Sequence, residues 1–193
     1  MIKLVAIISV MALLQGCAGA VMVGAVGGAK MANDERSMST QISDTNAGFD
    51  ITGALSKYED LNNQTNITGV VMNGNVLMYG QAPNSMLRDK AIKAVQELNI
   101  GGKIHNQIRI GNPTSFTTRS NDTWVTTKVK GRMLNEKSLD VTRIKVITEN
   151  GEVFLLGLIE RSQADLAVDV ARNTAGVRKV VKVFEYVEPK EED

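Results

Sequence analysis

Residues 120–134, SNDTWVTTKVKGRML, combine apolar and basic side chains in a spacing that suits contact with a lipid surface. At about 100° per residue, the rotation of a helix, Val125, Val129 and Met133 form one stripe of the kind that packs on a core. The opposite side carries two large apolar residues, two small ones and two flanking lysines, namely Trp124, Leu134, Thr127, Gly131, Lys128 and Lys130. An outward apolar ridge bordered by lysines is typical of a helix that lies in a membrane interface. We therefore predict that this face contacts a lipid surface.

The same stretch also contains signals for the start of its helix. Ser120, Asn121 and Asp122 are N-cap candidates, because their short polar side chains can accept hydrogen bonds from the free amides of a first turn. We expect a helix over residues 121–135. A second interpretation of its outward face stays open, because Trp124, the only tryptophan of the chain, could instead pack on a neighbouring domain or loop. The N-terminal sequence favours the lipid surface.

The beginning of the chain has the pattern of a secretory signal. Lys3 precedes an apolar run at residues 4–14 that is too short to span a membrane. The next residues, Leu-Gln-Gly-Cys at 14–17, resemble the lipobox of bacterial lipoproteins, which implies that Cys17 receives a diacylglyceryl group. The alanine that follows implies sorting to the inner leaflet of the outer membrane, facing the periplasm. Alternatively, residues 4–29 form one uncharged anchor helix, although their glycines weaken a helix.

The composition argues against several classes of function. The 193 residues have a formal net charge of only +1, so no global basic field points to nucleic acid. One cysteine and one histidine leave neither a disulfide framework nor a zinc cluster. His105 has no evident nucleophile, and Asp140, Asp165 and Asp169 lack the paired spacing of acid–base catalysis. We predict no catalytic residue, no metal site and no cofactor.

An internal repeat decides the predicted architecture. Residues 70–81, VVMNGNVLMYGQ, align with residues 147–158, ITENGEVFLLGL, at a constant offset of 77 residues. Each copy has Asn-Gly between two β-rich runs, which predicts a hairpin with a type I′ turn. Gly80 aligns with Gly157 in the second strand, where a missing side chain lets another backbone or helix come close.

Both copies continue in the same order on either side of the hairpin. A helix precedes it, and a second helix and a final strand follow: 44–58, 84–98 and 103–110 in the first copy, and 121–135, 162–174 and 178–187 in the second. The second helix should cross over to a parallel third strand. We predict an α+β fold in which each copy is an αββαβ two-layer sandwich with a three-stranded mixed sheet. Copies of about 70 residues are near the lower size limit for one core, so the two should pack on each other.

The final strands have apolar residues on alternating positions. In the first copy, Ile104, Ile108 and Ile110 should lie on one face of the strand. In the second copy two choices stay open, either Val181 with Val183 or Val180 with Phe184.

Long motifs in both copies resemble BON domains, and the whole chain is similar to the dual-BON-domain outer-membrane lipoproteins. The resemblance is carried by NDTWVTTKV at 121–129, TENGEVFLLGL at 148–158, GQAPN at 80–84, ALSK at 54–57, DER at 34–36, TQ at 40–41 and the lipobox. It implies a non-catalytic lipoprotein that binds anionic phospholipid through the first helix of its second BON domain, gathers at the division site and supports envelope integrity. It implies the same lipid-contacting residues as above, with Lys130 in place of a usual arginine.

The resemblance and the repeat together divide the chain. The expected parts are a signal peptide at 1–16, a lipidated cysteine and flexible tether at 17–40, BON domain 1 at 41–112, a linker at 113–118, BON domain 2 at 119–188 and an acidic tail at 189–193.

The two copies differ on the outward side of the helix before the hairpin. When Ile51 is aligned with Val129, the inward stripe is kept, but the residues opposite Trp124, Lys128, Lys130 and Leu134 are Asn46, Asp50, Thr52 and Ser56. A structural role common to both copies therefore does not explain the aromatic residue and the lysines. Phe49, opposite Thr127, is an exception and is expected to pack between the domains.

A protein-interaction scaffold is the competing function. The Trp124 face or the cleft between the domains could dock an envelope protein, such as an assembly factor or a regulator of cell-wall enzymes. The expected partners are thus an anionic membrane surface or an envelope protein, but not nucleic acid, and no oligomeric state is predicted.

Overall fold

A computed structural model describes residues 38–188. The signal peptide, Cys17, most of the tether and the acidic tail were predicted from sequence and lie outside the described residues. The described residues all belong to one compact unit. Its buried apolar side chains lie between Ile51 and Ala171, so a fragment that begins at Asn33 retains the complete described core.

Each half of this unit follows the predicted order of helix, two strands, helix and strand. The first half contains α1 Met38–Ser56, α2 Glu59–Gln64, β1 Asn66–Met72, β2 Asn75–Ala82, α3 Ser85–Gln96 and β3 Ile104–Ile110. The second half contains α4 Phe116–Leu134, a 3-10 helix Val141–Arg143, β4 Ile144–Glu149, β5 Glu152–Ile159, α5 Arg161–Arg172 and β6 Lys179–Tyr186. The α+β prediction is confirmed, and the short helices before β1 and β4 were not expected.

Two three-stranded mixed sheets form the centre of the halves, in the order β1-β2-β3 and β4-β5-β6. In each sheet the first pair of strands is antiparallel and the second is parallel. A Cβ atom on Gly80 would lie 1.8 Å from the backbone oxygen of Asn66, and one on Gly157 would lie 2.5 Å from that of Arg143. The aligned glycines therefore admit a close backbone, as predicted.

The Asn-Gly turns have the positive φ angles that a type I′ turn requires. Asn73 and Asn150 have φ of 51° and 48°, and the glycines that follow have φ of 75° and 70°. A buried aspartate braces the second turn, because the Asp122 carboxylate accepts from the amide of Asn150 at 2.7 Å and from that of Gly151 at 2.8 Å. Asp44 makes the same pair of hydrogen bonds to the first turn, at 2.7 and 2.8 Å.

The predicted N-cap of α4 was wrong. The helix begins at Phe116, within the predicted linker, and Ser115 is its N-cap, accepting from the amide of Thr118 at 3.2 Å. Ser120, Asn121 and Asp122 lie inside the helix. Asp122 is buried because its carboxylate serves the distant β4–β5 turn rather than the local first turn.

The two halves pack on each other through the sheet faces that point away from their own helices. A shared cluster contains Met72 and Leu77 of the first half and Phe154 and Leu156 of the second. The Tyr79 and Phe154 rings are 5.9 Å apart. Burial raises the pKa of the Tyr79 phenol, and the nearby Glu149 carboxylate raises it further against the opposing hydrogen bond to Thr68.

Both faces of β6 take part in packing. Val180 and Phe184 contact the core of the second half, whereas Val181 and Val183 contact the shared cluster between the halves. The two alternatives left open by the sequence are therefore both used. Ile110 is exposed at the last rung of the β2–β3 pairing.

Polar contacts fix the relative position of the halves. Arg109 forms a two-pronged salt bridge with Glu152 at 2.7 and 2.9 Å. The Gln81 side-chain amide donates to Glu149 at 2.6 Å, and Asn73 donates to Glu185 at 2.9 Å. Since apolar and polar contacts act together, the expectation that the copies pack on each other is confirmed.

Candidate functional site

Helix α4 separates a buried face from an exposed apolar face. Val125, Val129 and Met133 have no exposed surface. On the other side, Trp124 is 61% exposed and Leu134 is 71% exposed. The indole is therefore not packed beneath a neighbouring domain or loop, the second interpretation that the sequence left open. Large apolar groups held in water by a rigid helix are available to enter a lipid interface.

The residues between Trp124 and Leu134 on this face have small side chains that project little from the helix. Thr127 is exposed and donates its hydroxyl to the Thr123 carbonyl at 3.0 Å, so its polar group is already satisfied along the helix. Gly131 is exposed as well, and a Cβ atom there would meet no other atom within 4 Å. A surface between the two large side chains therefore has room for lipid headgroups.

The two lysines are held differently. The Lys128 ammonium donates to the Ala175 carbonyl at 2.6 Å and lies 6.0 Å from the centre of the Trp124 ring. Its position beside the indole is thereby fixed. Lys130 is exposed on the other flank of the face. The helix thus presents positive charge on both sides of its apolar ridge.

Phe116 is an additional member of this face that sequence reasoning missed. It is 77% exposed and precedes Leu134 by 18 residues, which is about five turns at 3.6 residues per turn, so both side chains point the same way. The available signal was Ser115, a good N-cap just before it. Phe116, Trp124 and Leu134 together extend the apolar ridge along the whole helix, a length of about 27 Å.

Phe116→Glu is expected to weaken binding to anionic vesicles by more than tenfold. Burial of a large apolar side chain contributes about 1.5 kcal/mol or more, and a negative charge next to an anionic surface costs about 1 kcal/mol. Glutamate in the first turn suits the helix dipole, so α4 itself should remain folded. Vesicle co-sedimentation measures the change, with Phe116→Leu as the matched control that should bind like the wild type. Unchanged binding of Phe116→Glu would remove this residue from the contact.

The first copy is less different from the second than its sequence suggested. Phe49 was expected to pack between the domains, which is wrong, because it is 70% exposed. Met38 and Ile42 on the same side of α1 are also exposed. However, α1 contains no lysine or arginine. Both helices therefore expose large apolar side chains, but only α4 adds lysines to them.

The described residues offer little for other chemistry. Between residues 38 and 188, no three His, Cys, Asp or Glu side chains come close enough together to hold a metal ion. None of the helices in this range is long and apolar enough to cross a membrane. His105 lies in β3, opposite Leu77 of β2, and Asp140 caps the 3-10 helix.

Comparison with known proteins assigns the class of both halves. Residues 43–112 and 121–188 match the BON domain family, so the chain contains two tandem BON domains. The outer membrane lipoprotein DolP of Haemophilus influenzae is 38% identical over 186 residues, which cover 96% of each chain. The protein therefore belongs to the DolP family of outer-membrane lipoproteins.

Two further relatives share part of this organisation. The 21 kDa hemolysin of Actinobacillus pleuropneumoniae is 40% identical over 155 residues, which cover 80% of each chain. The osmotically-inducible protein Y of Escherichia coli is 26% identical over 125 residues, which cover 64% of this chain and 60% of that one.

Proposed function

We propose that this lipoprotein, attached through acyl chains on Cys17, docks on anionic phospholipid through the outward face of α4 and has no catalytic role. One observation carries the proposal. Trp124 and Leu134 are mostly exposed on a helix whose opposite face is completely buried, and lysines flank them. Such a helix is already folded and oriented, so docking requires little ordering of the chain.

The expected strength of the contact is moderate. Full burial of a large apolar side chain contributes about 1.5 to 3 kcal/mol, and a lysine near an anionic surface contributes about 1 kcal/mol. Several acyl chains on one residue hold a protein firmly on a membrane. Attachment at Cys17 would raise the local concentration of α4 at that membrane, so that a moderate second contact is occupied. In this proposal the lipid provides attachment and α4 provides orientation.

A role in envelope integrity at the division site is part of the same proposal. Its support is the resemblance to the dual-BON-domain outer-membrane lipoproteins. A protein that recognises anionic lipid concentrates wherever that lipid is enriched, which gives α4 a physical means of placing the protein within the envelope.

Vesicle binding by the fragment that begins at Asn33, which lacks Cys17, tests the proposal. Binding should increase with the fraction of phosphatidylglycerol in phosphatidylcholine vesicles. It should decrease strongly at about 0.5 M salt, where the Debye length is only a few Å. Equal binding to neutral and anionic vesicles, or binding that does not respond to salt, would contradict the electrostatic part of the account.

A protein-interaction scaffold is the second candidate function. It is favoured by Met38 and Ile42, which are 65% and 58% exposed on a helix without basic residues. Photo-crosslinking in whole cells separates the two candidates. A lipid contact predicts no protein adduct at position 124, whereas a scaffold predicts defined adducts at positions 38 or 124.

A further inference from the structure

The two BON domains form two clefts between them. The clefts occupy equivalent positions in the repeat, because each is lined by the first helix and the first strand of one domain and by part of the other domain. The first lies between α1 and β1 of one domain and the start of β4 with Lys130 of the other, and its volume is about 570 Å³. The second lies between α4 and β4 on one side and β1 on the other, and its volume is about 350 Å³. Both volumes are within the size range of small-molecule sites, and the first cleft is the larger of the two.

The two clefts differ at one equivalent position in the first helix of each domain. Gly48 in α1 corresponds to Thr126 in α4, since both lie three residues before the aligned pair of Ile51 and Val129. The Thr126 hydroxyl donates to that of Thr148 at 2.7 Å, and both residues line the α4–β4 side of the second cleft. At Gly48 a Cβ atom would meet nothing within 4 Å. Gly48 therefore adds no side chain to the first cleft, whereas Thr126 adds one to the second.

The walls of this cleft differ in chemistry. Phe49 stands on one wall with most of its ring exposed, and Val70 and Val71 add apolar surface beside it. Lys130 and Lys145 are on the opposite wall. Among the described residues that line the cleft, Asp44 carries a carboxylate. This carboxylate accepts hydrogen bonds from two backbone amides of the β1–β2 turn. An apolar wall facing the exposed Lys130 suits a molecule with an anionic head and an apolar tail.

We propose that this cleft binds one anionic phospholipid, with its phosphate at Lys130 and the first part of an acyl chain against Phe49. Lys130 also flanks the outward face of α4, so the cleft opens beside the surface that is proposed to dock on the membrane. This inference rests on the proposed function, from which it takes anionic phospholipid as the class of ligand. The cleft would bind a single lipid molecule, whereas the α4 face would respond only to the charge of the membrane and to its apolar interior.

Gly48→Thr tests the cleft with a change that the backbone tolerates. Threonine at this position copies Thr126, and no atom obstructs its Cβ. The matched control is Gly53→Thr, on the same helix, also with nothing within 4 Å and outside the cleft lining. The fragment from Asn33 is titrated with dihexanoyl-phosphatidylglycerol below its micelle concentration and followed by calorimetry and by the amide NMR shifts of residues 48, 49 and 130.

Gly48→Thr is expected to weaken this binding at least tenfold and to remove the shifts at residues 48 and 49, whereas Gly53→Thr binds like the wild type. Dihexanoyl-phosphatidylcholine should bind at least tenfold more weakly to the wild type. Equal affinity of Gly48→Thr and wild type, or equal affinity for the two lipids, would overturn the proposal.

Trp124→Glu separates this inference from the proposed function. It should lose vesicle binding but keep the shifts at residues 48 and 49 with the monomeric lipid. If Gly48→Thr changes nothing while Trp124→Glu loses vesicle binding, the cleft assignment fails and the α4 surface stands. If Trp124→Glu still binds vesicles, the proposed function fails, whatever occupies the cleft.

Discussion

Trp124→Glu and Leu134→Glu are each expected to abolish binding to anionic vesicles without unfolding the protein. Both side chains are mostly exposed, so neither contributes to the core. Each change removes the burial of a large apolar group, about 1.5 to 3 kcal/mol, and adds a negative charge next to an anionic surface, about 1 kcal/mol. The combined loss of about 3 kcal/mol corresponds to a decrease in affinity of more than a hundredfold. Co-sedimentation with phosphatidylglycerol vesicles measures it.

The repeat provides matched controls for both variants. Asn46 and Ser56 of α1 occupy the positions equivalent to Trp124 and Leu134, and both are exposed. Asn46→Glu and Ser56→Glu place the same negative charge on the equivalent helix and should bind vesicles nearly as well as the wild type. Equal loss in the α1 and α4 variants would mean that net charge, and not the α4 face, controls binding. Thermal melts of all four variants should coincide within a few degrees of the wild type.

Asp122→Ala is expected to lower the free energy of unfolding by about 3 kcal/mol, because it removes the acceptor of two amide hydrogen bonds, one of them from the buried Gly151. For a protein of this size the melting temperature should fall by about 10 °C. Circular dichroism during heating measures the change.

Asp165→Ala is the control for this stability effect. Asp165 is exposed on α5 of the same domain, and such surface changes usually stay within about 0.5 kcal/mol. An Asp122→Ala protein that melts like Asp165→Ala would show that water replaces the carboxylate at the turn and that the brace adds no stability.

Local signals were enough to predict both hairpins. Asn-Gly between β-rich runs needs only the φ preferences of two adjacent residues, and Asn73 and Asn150 have the required positive φ. The antiparallel hairpin and the parallel third strand then follow from the short turn and the helical crossover. The inward stripe of α4 was equally predictable, because it depends on helical periodicity alone.

The start of α4 was not predictable from the same kind of signal. Ser120, Asn121 and Asp122 all have the side chains of an N-cap, yet the cap is Ser115. Asp122 is instead used by a turn 28 residues further along the chain, and a contact at that separation leaves no local pattern. The missed first turn also concealed Phe116, which had been assigned to the linker.

In the candidate site, too, local features could be predicted from the sequence, whereas features that depend on distant contacts could not. Trp124 could be placed on the outward face from helical rotation, but whether another domain covered that face depended on how the halves pack. Phe49 illustrates the opposite outcome, because its position in the repeat suggested a contact between domains and the structure leaves it exposed. Likewise, the open cleft beside Gly48 arises only when two domains meet, so no single segment indicates it.

The fluorescence of Trp124 tests the central claim most directly, because the chain has no other tryptophan. The fragment from Asn33 should show a shift of its emission to shorter wavelength, together with protection from aqueous quenchers, when phosphatidylglycerol vesicles are added, and no shift with phosphatidylcholine vesicles. If the fragment binds the anionic vesicles while the indole emission and quenching stay as in water, Trp124 does not enter the membrane and α4 is not the contact.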